Sequence, residues 1–136
     1  MNTTVNDCCV IEIPKIEDKR GNLSFVEKDL LPYNFKRVYY LYDVPGGAYR
    51  GGHAHKEQQA FLIALSGSFN VVLVDQDGGK KKVFLNKPNQ GLLISNMIWR
   101  ELEDFSSGAV CLVLASDVYN EKDYIRSFDN FKTHML

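Results

Sequence analysis

Apolar and polar residues alternate in short runs along almost all of this chain, and turn residues break each run before it reaches helix length. The first run, residues 9–13, stops at Pro14, which has no N–H to give a sheet ladder. A Gly-Asn turn within residues 18–23 leads into Leu23-Ser24-Phe25-Val26-Glu27, which alternates again. After a turn near Pro32, residues 35–42 are dense in aromatic and β-branched side chains, which favours a strand, and Pro45-Gly46-Gly47 ends it. Residues 60–65 and 69–74 are two further strands joined by Ser66-Gly67-Ser68. Asp77-Gly78-Gly79 reads as a hairpin loop, and Lys80, Lys81 and Lys82 as a solvated edge that discourages sheet-to-sheet aggregation.

The second half keeps the rhythm. Residues 83–85 precede a turn over 86–91; residues 92–94, 98–102 and 109–115 follow as strands separated by a loop and by Ser106-Ser107-Gly108. Only residues 120–131 lack strand character, and their spacing predicts a short helix with Tyr124, Ile125, Phe128 and Phe131 on its apolar side. About ten short strands at turn spacings of roughly 8 to 12 residues predict an all-β fold, an antiparallel sandwich or barrel with a short helical tail. No linker or repeat divides residues 1–136, so one domain is expected.

Composition narrows the partners. With 136 residues, 45% of them hydrophobic, and a net charge of -1, the chain can bury a full core but offers no field for a polyanion. Nucleic acid and anionic membrane are therefore not expected partners, and a phosphate-bearing ligand must be held by a few local arginines. There is no apolar run long enough to span a bilayer and no signal-peptide pattern, so a cytoplasmic location is expected. Cys8, Cys9 and Cys111 give neither a disulfide framework nor metal-ligand spacing, and read as reduced thiols.

The candidate chemistry gathers at Arg50-Gly51-Gly52-His53-Ala54-His55-Lys56; the third histidine, His134, is two residues from the end. In a strand, His53 and His55 point to one face, and the glycines before them let another group approach the backbone. The plainer alternative is a pair of half-exposed polar strand residues. Gly-x-His-x-His on a middle strand of such a barrel resembles the cupins, most of which hold a divalent metal with the two histidines, a glutamate and a third histidine. Here the glutamate slot falls at Gln59 or Ala60 and the third-histidine slot at Arg100, a permanent cation that repels a metal. No metal or other cofactor is expected. Histidine's ordinary pKa near neutrality suits it to moving protons instead, and Arg50 and Arg100 are expected to hold the imidazoles neutral, as a general base requires. Tyr39, Tyr40 and Tyr42 add phenol donors and stacking faces, with core packing as the alternative for each.

Six ordered stretches make the resemblance specific: Lys36-Arg37-Val38-Tyr39-Tyr40, residues 50–56, Ser66-Gly67-Ser68, Trp99-Arg100-Glu101, Leu112-Val113-Leu114-Ala115-Ser116, and Asp123-Tyr124-Ile125-Arg126 with Phe128-Asp129-Asn130-Phe131. Together, over about residues 11–131, they resemble the nucleotide-sugar 3,4-ketoisomerases, cupin enzymes acting on dTDP-4-keto-6-deoxyglucose in the pathways to 3-amino-3,6-dideoxyhexoses. The resemblance implies a metal-free cupin-type barrel or jelly roll, a homodimer, and a catalytic base at His53. Within that implied reaction His55 relays or orients, Tyr39 or Arg100 stabilises the oxyanion, and Arg37 and Arg50 are candidates for the pyrophosphate. Pairing with Glu27, Asp43 or Glu57 is the structural alternative for those two arginines. Tyr40 and Trp99 complete the expected substrate-binding set. The short N-terminal strand is expected to pair across the dimer interface. Ala60, Leu93 and Asn96 depart from the family pattern, and a different pocket floor is expected from them. A 3,5-epimerase acting on the same nucleotide sugar and a non-catalytic sugar-binding cupin are the other classes open to this pattern.

Overall fold

The computed structural model describes residues 2–135. Its strands are β1 (Cys9–Glu12), β2 (Lys15–Ile16), β3 (Leu23–Ser24), β4 (Arg37–Leu41), β5 (Arg50–His55), β6 (Ala60–Ser66), β7 (Phe69–Val74), β8 (Lys80–Leu85), β9 (Gln90–Ile94), β10 (Trp99–Glu103), β11 (Val110–Ala115) and β12 (Tyr124–Ile125). One helix, α1 (Phe128–Thr133), follows β12. Two five-stranded antiparallel sheets, in the orders β1-β9-β6-β11-β4 and β12-β5-β10-β7-β8, form the barrel, and β2 and β3 make a separate hairpin.

Alternation along each strand sorts the side chains into three layers. The inner faces meet in a core that includes Leu62 and Ala64 of β6, Val71 and Leu73 of β7, Leu102 of β10, and Cys111 and Val113 of β11. Each fully buried leucine or valine there contributes about 1.5–3 kcal/mol of hydrophobic stabilisation. Phe61 and Ile63 point the other way and are covered by Ile13 and Leu31, with Ile11, Val26 and Tyr33 packed alongside. The outer face of β12, β5 and β10 is covered by α1, with Ala54, Met97, Trp99, Ile125 and Phe131 buried together. The apolar runs in β6 and β11 are therefore continuous because both of their faces are covered.

β8 is an edge strand, and its lysines behave as the sequence indicates: Lys80 and Lys82 are exposed, Lys82 pairs with Glu103 at 3.1 Å, and Lys81 donates to the Cys8 carbonyl at 3.1 Å. Buried Asp75 fastens the β7–β8 turn to the N-terminal segment, accepting from Gly79 N at 2.7 Å and Val5 N at 2.9 Å.

Two expectations are corrected. The tail is not helical from residue 120: Tyr124 and Ile125 form a strand on β5, with Tyr124 opposite His55 and Ile125 opposite Ala54, and only Phe128–Thr133 is α-helix. Free backbone groups at the edge of β5 prevail over the helical spacing of the apolar residues. The segment after Leu23 pairs over only two residues, because Val26 turns into the layer covering Phe61 and Ile63. The N-terminal strand β1 pairs with β9, Cys9 opposite Leu93 through Glu12 opposite Gln90, and Gln90 Nε2 donates to Glu12 Oε1 at 2.7 Å. Among the described residues no helix is long and apolar enough to cross a membrane.

Candidate active site

A bulge shapes the strand that carries the histidines. On β5, His53 lies opposite Arg100 but Arg50 lies opposite Leu102, so one extra residue is fitted in between. Gly51 accommodates it at φ 94°, and a Cβ there would come within 3.0 Å of the Leu102 side chain. The bulge faces a cavity of about 380 Å3 whose floor is apolar (Leu62, Leu102, Val113) and whose polar wall includes Tyr39, Arg100 and His53.

The two histidines share that side of β5 at different depths. His53 lines the cavity, whereas His55 is wholly buried behind it, with the Nε2 atoms 3.2 Å apart. The rings meet edge-on at 89°, and Tyr124 packs on both, its centroid 4.9 Å from His53 and 4.4 Å from His55. His55 Nδ1 lies 3.1 Å from Asp123 Oδ2, and its Nε2 also faces Gln58 Nε2 at 3.3 Å. Burial is the main reason both rings stay neutral, and the Arg100 guanidinium is the next, taking His53 to about 3 and His55 to about 2. Arg126 acts in the same sense on both, and Arg37 on His55; Arg50, expected to share this role, is not among the causes.

Arg100 is 3% exposed; one of its terminal nitrogens donates to the Ile98 carbonyl at 3.1 Å, while its Nε is buried without a partner. A cation this deeply buried at the wall of a cavity is suited to a negative oxygen placed there. Burial raises the pKa of the Tyr39 phenol, with Arg100 opposing, so it remains a neutral O–H donor. Arg37 stacks over Tyr39 at 4.6 Å and Tyr119 at 5.5 Å, reaches the Tyr124 hydroxyl at 3.5 Å, and leaves its own buried Nε unpaired. Among the described ion pairs neither Arg37 nor Arg50 takes part, so neither is committed to Glu27, Asp43 or Glu57.

Of the residues singled out from the sequence, the structure brings His53, Tyr39, Arg100 and Arg50 to the cavity, with His55 immediately behind and Arg37 beside Tyr39. Two are placed elsewhere. Tyr40 alternates to the outer face of β4, is 59% exposed, and packs on Tyr42 at 5.8 Å. Trp99, next to Arg100, points away from the cavity into the layer beneath α1, 5.3 Å from Phe128 and 5.9 Å from Phe131, and its indole N–H donates to Glu101. Ala60, Leu93 and Asn96 do not line the cavity either: the first two are packed in separate apolar layers, and Asn96 donates to the Lys56 carbonyl. The amide facing His55 is that of Gln58, not Gln59. Asp123, Tyr124 and Arg126 were absent from the expected site, although they belong to one of the six stretches carrying the resemblance; a helical reading of the tail hid them. Among the described residues no three His, Cys, Asp or Glu side chains converge as a metal-ligand set.

The chain is similar to several known proteins. A TDP-4-oxo-6-deoxy-alpha-D-glucose-3,4-oxoisomerase from Aneurinibacillus thermoaerophilus is 44% identical over 127 residues, 93% of this chain and 91% of that protein. A 3,4-ketoisomerase from Helicobacter canadensis has a solved structure matching with a TM-score of 0.88 at 43% identity, over 93% of this chain and 95% of that one. QdtA, a sugar 3,4-ketoisomerase from Thermoanaerobacterium thermosaccharolyticum solved in complex with TDP, matches with a TM-score of 0.89 at 42% identity, over 92% and 91%. A family model described as FdtA: WxcM-like, C-terminal matches residues 6–136, and with that match over nearly its whole length the chain belongs to the FdtA family.

Proposed function

We propose that this chain is a nucleotide-sugar isomerase that moves the ketone of TDP-4-keto-6-deoxyglucose from C4 to C3. The observation that carries the reading is the neutral His53 at the cavity wall, backed by a second neutral histidine and facing Arg100 across the bulge. The 44% identical oxoisomerase and the TDP-bound QdtA structure support the substrate class.

The C3 hydrogen of a 4-keto sugar is α to the carbonyl. Removing it as a proton sends its bonding electrons into a 3,4-enediolate, and reprotonation at C4, with a proton shift between the oxygens, leaves the ketone at C3. His53 is the base, since it alone of the pair reaches the cavity. Arg100, with its unpaired Nε, and Tyr39, a neutral donor, stabilise the developing negative oxygen. Arg50, exposed at the cavity rim, and Arg37 are the candidates for the pyrophosphate, for which guanidinium offers bidentate geometry.

The purified protein, incubated with TDP-4-keto-6-deoxyglucose in deuterated water and followed by NMR, tests this. The expected product is a 3-keto sugar labelled at C4. Label at C3 and C5 without movement of the ketone would instead make the chain an epimerase, and no label would leave a sugar-binding cupin. A homodimer is part of the proposal, supported by the outer face of β4, where Val38, Tyr40 and Tyr42 are 50%, 59% and 61% exposed. A stable monomer in sedimentation at micromolar concentration would remove it.

A further inference from the structure

We propose that Glu121 is a resident anion that holds Arg126 at the open side of the cavity, and that the diphosphate of the nucleotide sugar binds by displacing it from the guanidinium. This rests on the nucleotide-sugar reading above, and its readout is binding without turnover.

The charge of the cavity points to an anionic occupant. Three guanidinium groups line it, those of Arg50, Arg100 and Arg126, and among the described residues no Asp or Glu does. Arg100 is buried opposite His53 and belongs to the reacting end. Arg50 and Arg126 are exposed, on the solvent side, where the charged linkage of a nucleotide sugar lies once its sugar is at His53.

Arg126 already holds an anion. Its Nε donates to Glu121 Oε2 at 2.7 Å and its Nη2 to Glu121 Oε1 at 2.9 Å, a two-pronged grip that fits a phosphate equally well. The Tyr119 hydroxyl donates to the same Oε1 at 2.6 Å. Beneath the guanidinium, at 4.3 Å, lies the ring of Tyr124, which itself packs on His53. That ring is a platform on which Arg126 stays at the cavity while its partner changes. The carboxylate is close enough for its charge to act on the His53 ring, in the sense opposite to Arg126. The bond from Arg126, then that from Tyr119, brings the Glu121 carboxyl down to about 2, so it is ionised at neutral pH and competes with any arriving phosphate. Both side chains of the pair are 55% exposed, so water screens their attraction and the carboxylate is exchangeable. Glu121 thus acts through Arg126: it keeps the arginine ordered in the empty protein, opposes nucleotide binding, and returns as the nucleotide leaves.

Titration with TDP by calorimetry at low salt tests the proposal. Glu121→Gln, which keeps the shape of the side chain without its charge, should bind TDP severalfold more tightly than wild type. Glu121→Ala should show the same gain and decides the question if the glutamine amide still holds the guanidinium. Arg126→Gln should bind about tenfold more weakly, as expected for loss of a charged hydrogen-bond donor. Arg126→Lys, with the charge but not the fork, should fall between. In the Arg126→Gln background, removing the Glu121 charge should no longer tighten binding, because the two act as one unit. A merely structural ion pair would lower the melting temperature in every variant and tighten binding in none. TDP affinity unchanged in Arg126→Gln, no gain in either Glu121 variant, or a gain that persists in full without Arg126 would overturn the proposal while leaving the nucleotide-sugar reading intact. Wild type that does not bind TDP would overturn that reading and the proposal with it.

Discussion

The Nε2 atoms of His53 and His55 lie 3.2 Å apart, yet one ring lines the cavity and the other is cut off from it entirely. Strand alternation puts both on one side of β5, but the bulge at Gly51 opens space only in front of the first. Equal residues in equal spacing thus acquire unequal chemistry.

His53→Asn keeps size and hydrogen bonding but cannot accept the proton. Turnover should fall at least about a hundredfold, the lower end of what general-base catalysis contributes, and exchange at C3 should disappear. His55→Asn should cost less and retain slow C3 exchange. Steady-state rates with NMR of the sugar in deuterated water check both, and a dead His55→Asn beside an exchanging His53→Asn would reverse the roles.

Arg100 sits opposite His53 with an unpaired Nε. A side chain at that place can lie over one face of the sugar, or hold a water there, and so bias the face on which C4 is reprotonated. Arg100→His should change the product ratio at C4 or depress turnover while leaving nucleotide affinity within about threefold, under about 1 kcal/mol. Product NMR and a nucleotide titration measure the two effects; an unchanged product and rate would make Arg100 a bystander.

Acid should find the buried histidines. Burial, then Arg100, lowers the folded-state pKa from 6.5 to about 3 for His53 and about 2 for His55. In the unfolded chain both charge near their ordinary value, so below it the unfolded state binds more protons. Stability should hold above about pH 6.5, fall as pH drops toward 3, and level off once the folded rings charge as well. At pH 5 unfolding should take up about two protons through this pair, and about one in either His→Asn variant. The slope of unfolding free energy against pH gives the count, and a flat profile between pH 6 and 4 would contradict it.

Chelation should leave turnover unchanged, because an arginine occupies the slot where a cupin metal site places its third histidine, and the carboxylate slot falls at Gln59 or Ala60, neither of which offers a carboxylate. Loss of activity in a chelator, restored by one divalent ion per chain, would count decisively against it.

Much of this was written into local pattern. Alternation located the strands of both sheets other than β12, the glycines marked the approach to the histidines, and the lysines of β8 announced an edge, because each depends on neighbours a few residues away. Alternation also required Tyr39 and Tyr40 to face opposite ways, as Trp99 and Arg100 must, but not which face was interior. That was decided by what covers each sheet: α1, with Ile125 of β12 beside it, buries the Trp99 side, while among the described residues the Tyr40 side is left exposed. The polar shell of His55 lay further out of reach. Asp123 is 68 residues from it in sequence, and only the pairing of β12 with the free edge of β5 brings them together. That pairing is a long-range hydrogen-bonding event, which the helical spacing of Tyr124, Ile125, Phe128 and Phe131 concealed. The sequence by itself determined most of the strands and the histidine pair; tertiary structure decided which histidine lines the cavity and which meets Asp123, because depth and long-range pairing have no local signature.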